Sequence, residues 1–232
     1  MGRYTFSYGQ FLERLDEVHI LGKSAAAKER ENAIQHRKEI RALCRASVVL
    51  LSSHVEAYIK ELGETALAAF FNKKISRANL PSSVFYNISK DVVSEISASN
   101  EPDKIADKIF EFLEFDLVFW SKEGPFPSEI PSERFNQGFA NPAFRKVSKY
   151  FGRFGYREFR HDINKRLTSD SLHTIHTLDH MVDLRNNISH GDESATKTPS
   201  EVIAMTKTIT LFCRTTDDAF SDWCRREHCS IR

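Results

Sequence analysis

Glycine and proline are scarce in this chain, nine and seven among 232 residues, and five of the prolines fall between Pro102 and Pro142. So little punctuation excludes a fold of many short strands joined by tight turns, and no convincing apolar/polar alternation occurs either. The chain reads as all-α. Long hydrophobic runs are also missing. The longest, Ala46 to Ser53, is interrupted by serines, which excludes a membrane-spanning helix. The opening MGRYTFSYGQF lacks the apolar core and small-residue cleavage site of a signal peptide. Met1-Gly2 could begin a myristoylation motif, but the place that wants serine or threonine is Phe6. Four unevenly spread cysteines (Cys44, Cys213, Cys224, Cys229) do not make a secreted disulfide framework, so reduced thiols in a cytoplasm are expected. There is no excess of one charge. Lys+Arg is 33 against Asp+Glu 32, so any affinity for nucleic acid must come from a local patch.

What is present is helical periodicity. An opening helix is expected over Ser7 to Ile20, with Phe11, Leu12, Leu15 and Val18 on one side and Gly22 as its end. From Lys23 to Leu62 there is neither Gly nor Pro, which permits one very long helix. Its first part, Ala27 to Arg41, is charged and should be solvated. Its second part carries the stripe Leu43, Val48, Leu51, Val55, Tyr58, Ile59 and Leu62 and should be core. A further helical piece covers Glu64 to Phe71. After a break at Asn79-Leu80-Pro81, helices are expected over Ser83 to Ile96 and Asp103 to Trp120, then an irregular stretch from Ser121 to Gln137. Asn141-Pro142 opens another helix that runs to Gly152, and one follows from Tyr156 to Leu167. The next spans Ser171 to Ser189, with Gly191 as its stop. Thr198-Pro199-Ser200-Glu201 combines a capping box with a first-turn proline and opens the last helix, which reaches Trp223. Length and composition suit one domain over 1–232, with an insertion around 76–140.

Chemistry concentrates at Leu184-Arg185-Asn186-Asn187-Ile188-Ser189-His190-Gly191, where a helix ends. Arg185 continues the Leu178/Val182 face and so starts near the core or an interface. His190 falls in the terminal turn, where Gly191 lets the chain curl away. Histidine titrates near neutrality and can exchange protons with a ribose 2′-hydroxyl or a leaving oxygen. Arginine offers a fork of donors to a phosphate as its charge builds. Spacing alone favours a structural role, with Arg and His satisfying helix-end carbonyls and the helix dipole. The polar run Arg185-Asn186-Asn187 weakens a helix, which a purely structural end has little reason to accept.

Arg185-Asn186-Asn187-Ile188-Ser189-His190 resembles the Arg–Asn–x3–His signature of HEPN-superfamily ribonucleases. Leu50 to Leu62 is similar to the long-helix segment of the HEPN proteins of bacterial toxin–antitoxin and phage-defence loci. Asn141-Pro142 followed by a helix upstream of the signature fits as well. The resemblance implies an all-α HEPN-type helical bundle with an inserted, partly irregular middle region. It implies a metal-independent endoribonuclease that leaves 2′,3′-cyclic phosphate ends, with no cofactor, working as a homodimer with a composite RNA-cutting cleft. An antitoxin or defence-system partner protein would go with that role. Carried over, His190 is general acid/base and Arg185 the phosphate anchor; Asn186 orients His190 or the backbone, and Glu56 completes the polar cluster. Two alternatives stay open: a non-catalytic HEPN module that binds RNA or nucleotide, and a helical dimeric interaction subunit. HEPN toxins silenced by adenylylation carry a tyrosine two residues after the histidine; here that residue is Asp192.

Other signals read more simply as structure. His173, His176 and His180 share one helix face and could hold a transition metal, but a solvated or interface face is the plainer reading. Cys224, His228 and Cys229 lack the paired spacing of structural zinc. Phe151-Gly152-Arg153-Phe154-Gly155-Tyr156-Arg157 could stack bases, yet core aromatics at a helix connection look the same. The Lys28 to Arg45 stretch alternates with glutamates, as a solvated helix face does.

Overall fold

The computed structural model describes residues 4–232; the Met1-Gly2 pair lies outside the described residues. All regular structure among them is helical. Two long helices, α1 (Phe6–Asn32) and α2 (Arg37–Asn72), form an antiparallel hairpin. The sequence permits one helix from Lys23 through Leu62, but the chain reverses at residues 33–36 instead. No glycine or proline makes that turn. The side chain of Asn32 accepts a hydrogen bond from the Gln35 amide at 3.0 Å and so satisfies a donor that the reversal exposes. Gly22 does not end α1 either. Folding back lets the apolar stripe of α1 (Phe11, Leu15, Val18, Ala25) lie on that of α2 (Val48, Leu51, Val55, Leu62), burying both. Each valine, leucine or phenylalanine among them contributes about 1.5–3 kcal/mol when fully removed from water. The charged half of the stretch stays solvated, as expected.

Gly63 passes through the middle of α2 without breaking it. A Cβ there would collide with the hydroxyl of Tyr150, which donates to Asn136 Oδ1 at 2.5 Å. Glycine is present because another helix's side chain comes that close. The bundle is completed by α9 (Ser171–Ser189) and α10 (Pro199–Glu227), which pack on α2 and on each other. The capping box of α10 forms as the sequence indicates, between Thr198 and Glu201.

Between α2 and the bundle's later helices lie short elements: α3 (Ser82–Ile88), α4 (Lys90–Ala98), α5 (Pro102–Glu111) and α6 (Ser132–Asn136). The helix expected over Asp103 to Trp120 stops at Glu111 and widens into a π turn (Phe112–Asp116) and a 3₁₀ turn. Asp116 is the cause visible at that point. Its buried carboxylate accepts from Ser89 Oγ at 2.7 Å and pairs with Arg134 at 2.9 Å, which a regular helix would aim elsewhere. Arg77 ties the same segment together by donating to the carbonyls of Val118 and Glu123.

Two shorter helices, α7 (Phe144–Gly152) and α8 (Phe159–Leu167), carry an aromatic cluster in which Phe151 meets Phe220 at 4.6 Å and Phe159 at 4.7 Å. Phe151, Phe154 and Tyr156 are fully buried, so the aromatic-rich turn is core rather than a base-stacking surface. The start of α1 is fastened to α10 through Asp217, which accepts from the amide and hydroxyl of Thr5. All four cysteines are free thiols, and burial pushes Cys44 up to about 11. No helix among the described residues is long and apolar enough to cross a membrane.

Candidate functional site

Helix α9 buries Thr174, Leu178, Met181, Val182 and Leu184 against its neighbours, and this stripe sets where its last turn emerges. The helix ends in a Schellman motif: Gly191 N donates to Ile188 O at 3.1 Å and Asp192 N to Asn187 O at 3.0 Å. Gly191 adopts φ +86°, which a side chain would strain although space is free around it. His190 is the residue at this corner, with its amide bonded to Asn186 O at 2.9 Å and its imidazole exposed.

Arg185 is half-buried one turn earlier. Its Nη1 donates to Asn141 Oδ1 at 2.9 Å and to Asn186 Oδ1 at 3.1 Å. Asn141 in turn donates its backbone N–H to Glu56 Oε2 at 3.0 Å, and the other oxygen of Glu56 takes Lys60 Nζ at 2.7 Å. A polar chain thus runs Lys60–Glu56–Asn141–Arg185–Asn186, drawing α2, the segment before α7 and α9 to one place. It includes three of the four residues singled out in the sequence. The fourth, His190, makes no side-chain hydrogen bond to them among the described residues. Asn186 holds His190 through its backbone carbonyl only; its side chain serves Arg185.

Asn141 is the residue that sequence reasoning misplaced. Asn141-Pro142 does not begin a helix; α7 starts at Phe144, and Asn141 stands at φ +56°. Asparagine is among the few residues that tolerate this left-handed region. That conformation presents its amide N–H to Glu56 while its side chain reaches Arg185. The first amide of α7, Phe144 N, is satisfied from α9 by Asp179 Oδ1 at 2.7 Å, which fastens this segment beside the site. An Asn-Pro pair signals a turn, but nothing local announces these long-range partners.

The loop after His190 is pinned from α2. Arg45 Nη1 donates to Asp192 O at 2.6 Å and to Ala195 O at 3.1 Å, and Arg41 donates to Glu193 O. Hydrogen bonds from the hydroxyl and amide of Ser194 hold the Asp192 carboxyl below the usual carboxylate range. Beside this loop lies a groove of about 540 Å³ whose lining includes Arg37, Arg41, Lys197, Glu29 and Glu201.

His176 and His180 stack at 6.4 Å on α9, and burial, with Lys197 nearby, lowers His180. No group of three or more His, Cys, Asp or Glu is placed to hold a metal ion among the described residues. His228 packs edge-on against Phe70 and Trp223.

No curated protein and no solved structure matches this chain. The model of the RiboL-PSP-HEPN family does match, over residues 10–222, and the protein therefore belongs to that family, within the HEPN superfamily.

Proposed function

We propose that this protein is a metal-independent endoribonuclease, acting as a homodimer in a toxin or antiviral-defence role. The observation that carries the reading is how Arg185 is held. Only Nη1 is engaged by protein partners among the described residues, so Nε and Nη2 remain for a phosphate at the helix end that also exposes His190. A guanidinium fixed from behind and unpaired in front is preorganised for an oxyanion.

In the proposed reaction His190 takes the proton of a ribose 2′-hydroxyl. The 2′-oxygen attacks the adjacent phosphorus, and the bond to the 5′-oxygen breaks. Arg185 donates to the non-bridging oxygens as their charge rises. The departing 5′-oxygen takes a proton from an imidazolium, leaving a 2′,3′-cyclic phosphate and a 5′-hydroxyl, so the proton lost at one oxygen is regained at the other. Because the ribose supplies the nucleophile, no metal-bound water is required. Each chain brings one exposed imidazole to its site, and a dimer brings two, one for each proton transfer.

The test is cleavage of labelled single-stranded and transfer RNA in EDTA by wild type and His190→Ala. The reading expects cyclic-phosphate ends from wild type and a loss of about 10²–10⁴-fold in the variant. RNA retained by both proteins with no cutting by wild type would move the assignment to a binding module. No RNA affinity in wild type, together with loss of dimerisation in Arg185→Ala, would move it to an interaction subunit.

A further inference from the structure

Two apolar surfaces are left uncovered, and their charges are opposite. The first is on α5 and its continuation, where Ile109, Phe110, Leu113, Phe115, Leu117 and Val118 are all exposed. Phe110, Leu113 and Leu117, spaced at three- and four-residue steps, share one side of this segment and, at about 200 Å² per large side chain, leave roughly 300 Å² of apolar surface in water. Patches of this size are often functional. Asp103, Asp107 and Glu114 run along the helix line adjoining Phe110 and Leu113, and none has an ion-pair partner among the described residues. The lysines of α5 are already engaged, Lys104 by Glu101 and Lys108 by Glu95 and Glu111. The face is therefore apolar with an acidic border.

The second surface is a groove of about 750 Å³ between α1, the start of α9 and α10. Leu12, Leu15 and Ile203 line it, with Leu12 and Ile203 substantially exposed. Exposed Lys207 and Arg214 stand on its rim against a single carboxylate, Asp170. Neither cation has an ion-pair partner among the described residues.

We infer that these surfaces bind each other between copies of this chain, with the α5 face of one protomer seated in the α1/α9/α10 groove of the next. Charge selects this pairing over the symmetric ones. Two α5 faces set together would oppose Asp103, Asp107 and Glu114 to themselves, and two grooves would oppose Lys207 and Arg214; like charges across an interface disfavour association. Only the heterologous contact joins acid to base while covering both apolar surfaces. It is separate from any dimer built around Arg185, because the groove meets α9 at His173, twelve residues or about 18 Å along the helix axis from Arg185.

Sedimentation velocity on the full chain tests this with two variants of exposed residues, Phe110→Ser/Leu113→Ser and Lys207→Glu/Arg214→Glu, each checked for native helicity. Each variant alone is expected to lose one association step, at least halving the mass found for wild type. An equimolar mixture is expected to recover a complex containing both chains, because one variant retains an intact groove and the other an intact α5 face. The inference is overturned if neither variant lowers the mass, or if both do and the mixture stays dissociated.

Discussion

The long-helix bundle and the segment from Lys73 to Ala143 solve the same problem differently. In the bundle, α1, α2, α9 and α10 bury apolar stripes and close their ends with local devices such as the Thr198/Glu201 box and the Gly191 turn. In the middle segment no helix exceeds ten residues, α5 buries no side chain, and scattered buried side chains such as Val84, Phe85, Phe126 and Phe135 are joined by buried polar anchors. Arg77 gathers the carbonyls of Val118 and Glu123, and Asp116 gathers Ser89 and Arg134. Periodic burial makes a rigid frame. Short helices, scattered apolar burial and polar anchors make a segment that leaves α5 exposed, and through Asn141 its far end reaches the candidate site.

That dependence can be broken at Asn141. Asn141→Gly keeps the left-handed backbone but removes the acceptor for Arg185, so the fold should persist while RNA cleavage falls by about 10²-fold, as loss of positioning does. Equal cleavage by the variant would show that the middle segment does not contribute to the site.

Gly63→Ala strikes where the two regions meet the frame. The new methyl group would overlap the Tyr150 hydroxyl and disturb its bond to Asn136, costing about 1–3 kcal/mol in global stability by denaturant unfolding. An unchanged midpoint would mean that Tyr150 can yield.

Arg77→Ala should leave the carbonyls of Val118 and Glu123 without their donor, for about 1–3 kcal/mol. Hydrogen exchange should speed up in residues 76–130 and not in α2 or α10, since the anchor is local. Uniform loss of protection would show that segment and bundle unfold as one unit.

The smallest effect belongs to the α10 cap, where Thr198→Ala should cost about 1 kcal/mol. Hydrogen bonds from Thr198 and the nearby Lys197 lower Glu201 from 4.5 to about 2. A carboxyl held lower in the folded state stabilises it fully above the unfolded value. The wild-type advantage over Glu201→Gln should therefore be complete above about pH 4.5 and fade as pH falls toward 2. A pH-independent difference would assign the cap to its hydroxyl alone.

Much of the bundle was legible because helix signals are local. The Thr198–Glu201 box, the Ser171–Ser189 helix and the glycine stop at 191 are written in adjacent residues, and they stand where expected. Where the reading failed, distant contacts decided. Gly22 looks like a terminator, yet α1 continues because its stripe is buried on α2. The interval without Gly or Pro looks like one helix, yet it turns because reversal buries more apolar surface than extension. The helix through Trp120 ends early because a buried aspartate needs partners.

The candidate site divides the same way. Sequence alone determined that Arg185 and His190 share the end of one helix, since spacing and a stop glycine require only local geometry. Sequence also determined the all-α class, through periodicity and the scarcity of turn residues. Tertiary structure alone decided that Arg185 is held by Asn141, that Glu56 is tied to it through a backbone amide, and that Arg45 pins the following loop. Those bonds link positions 44, 85 and 147 or more residues apart. No pattern along the chain encodes such pairings, because they exist only once helix packing has brought their backbones together.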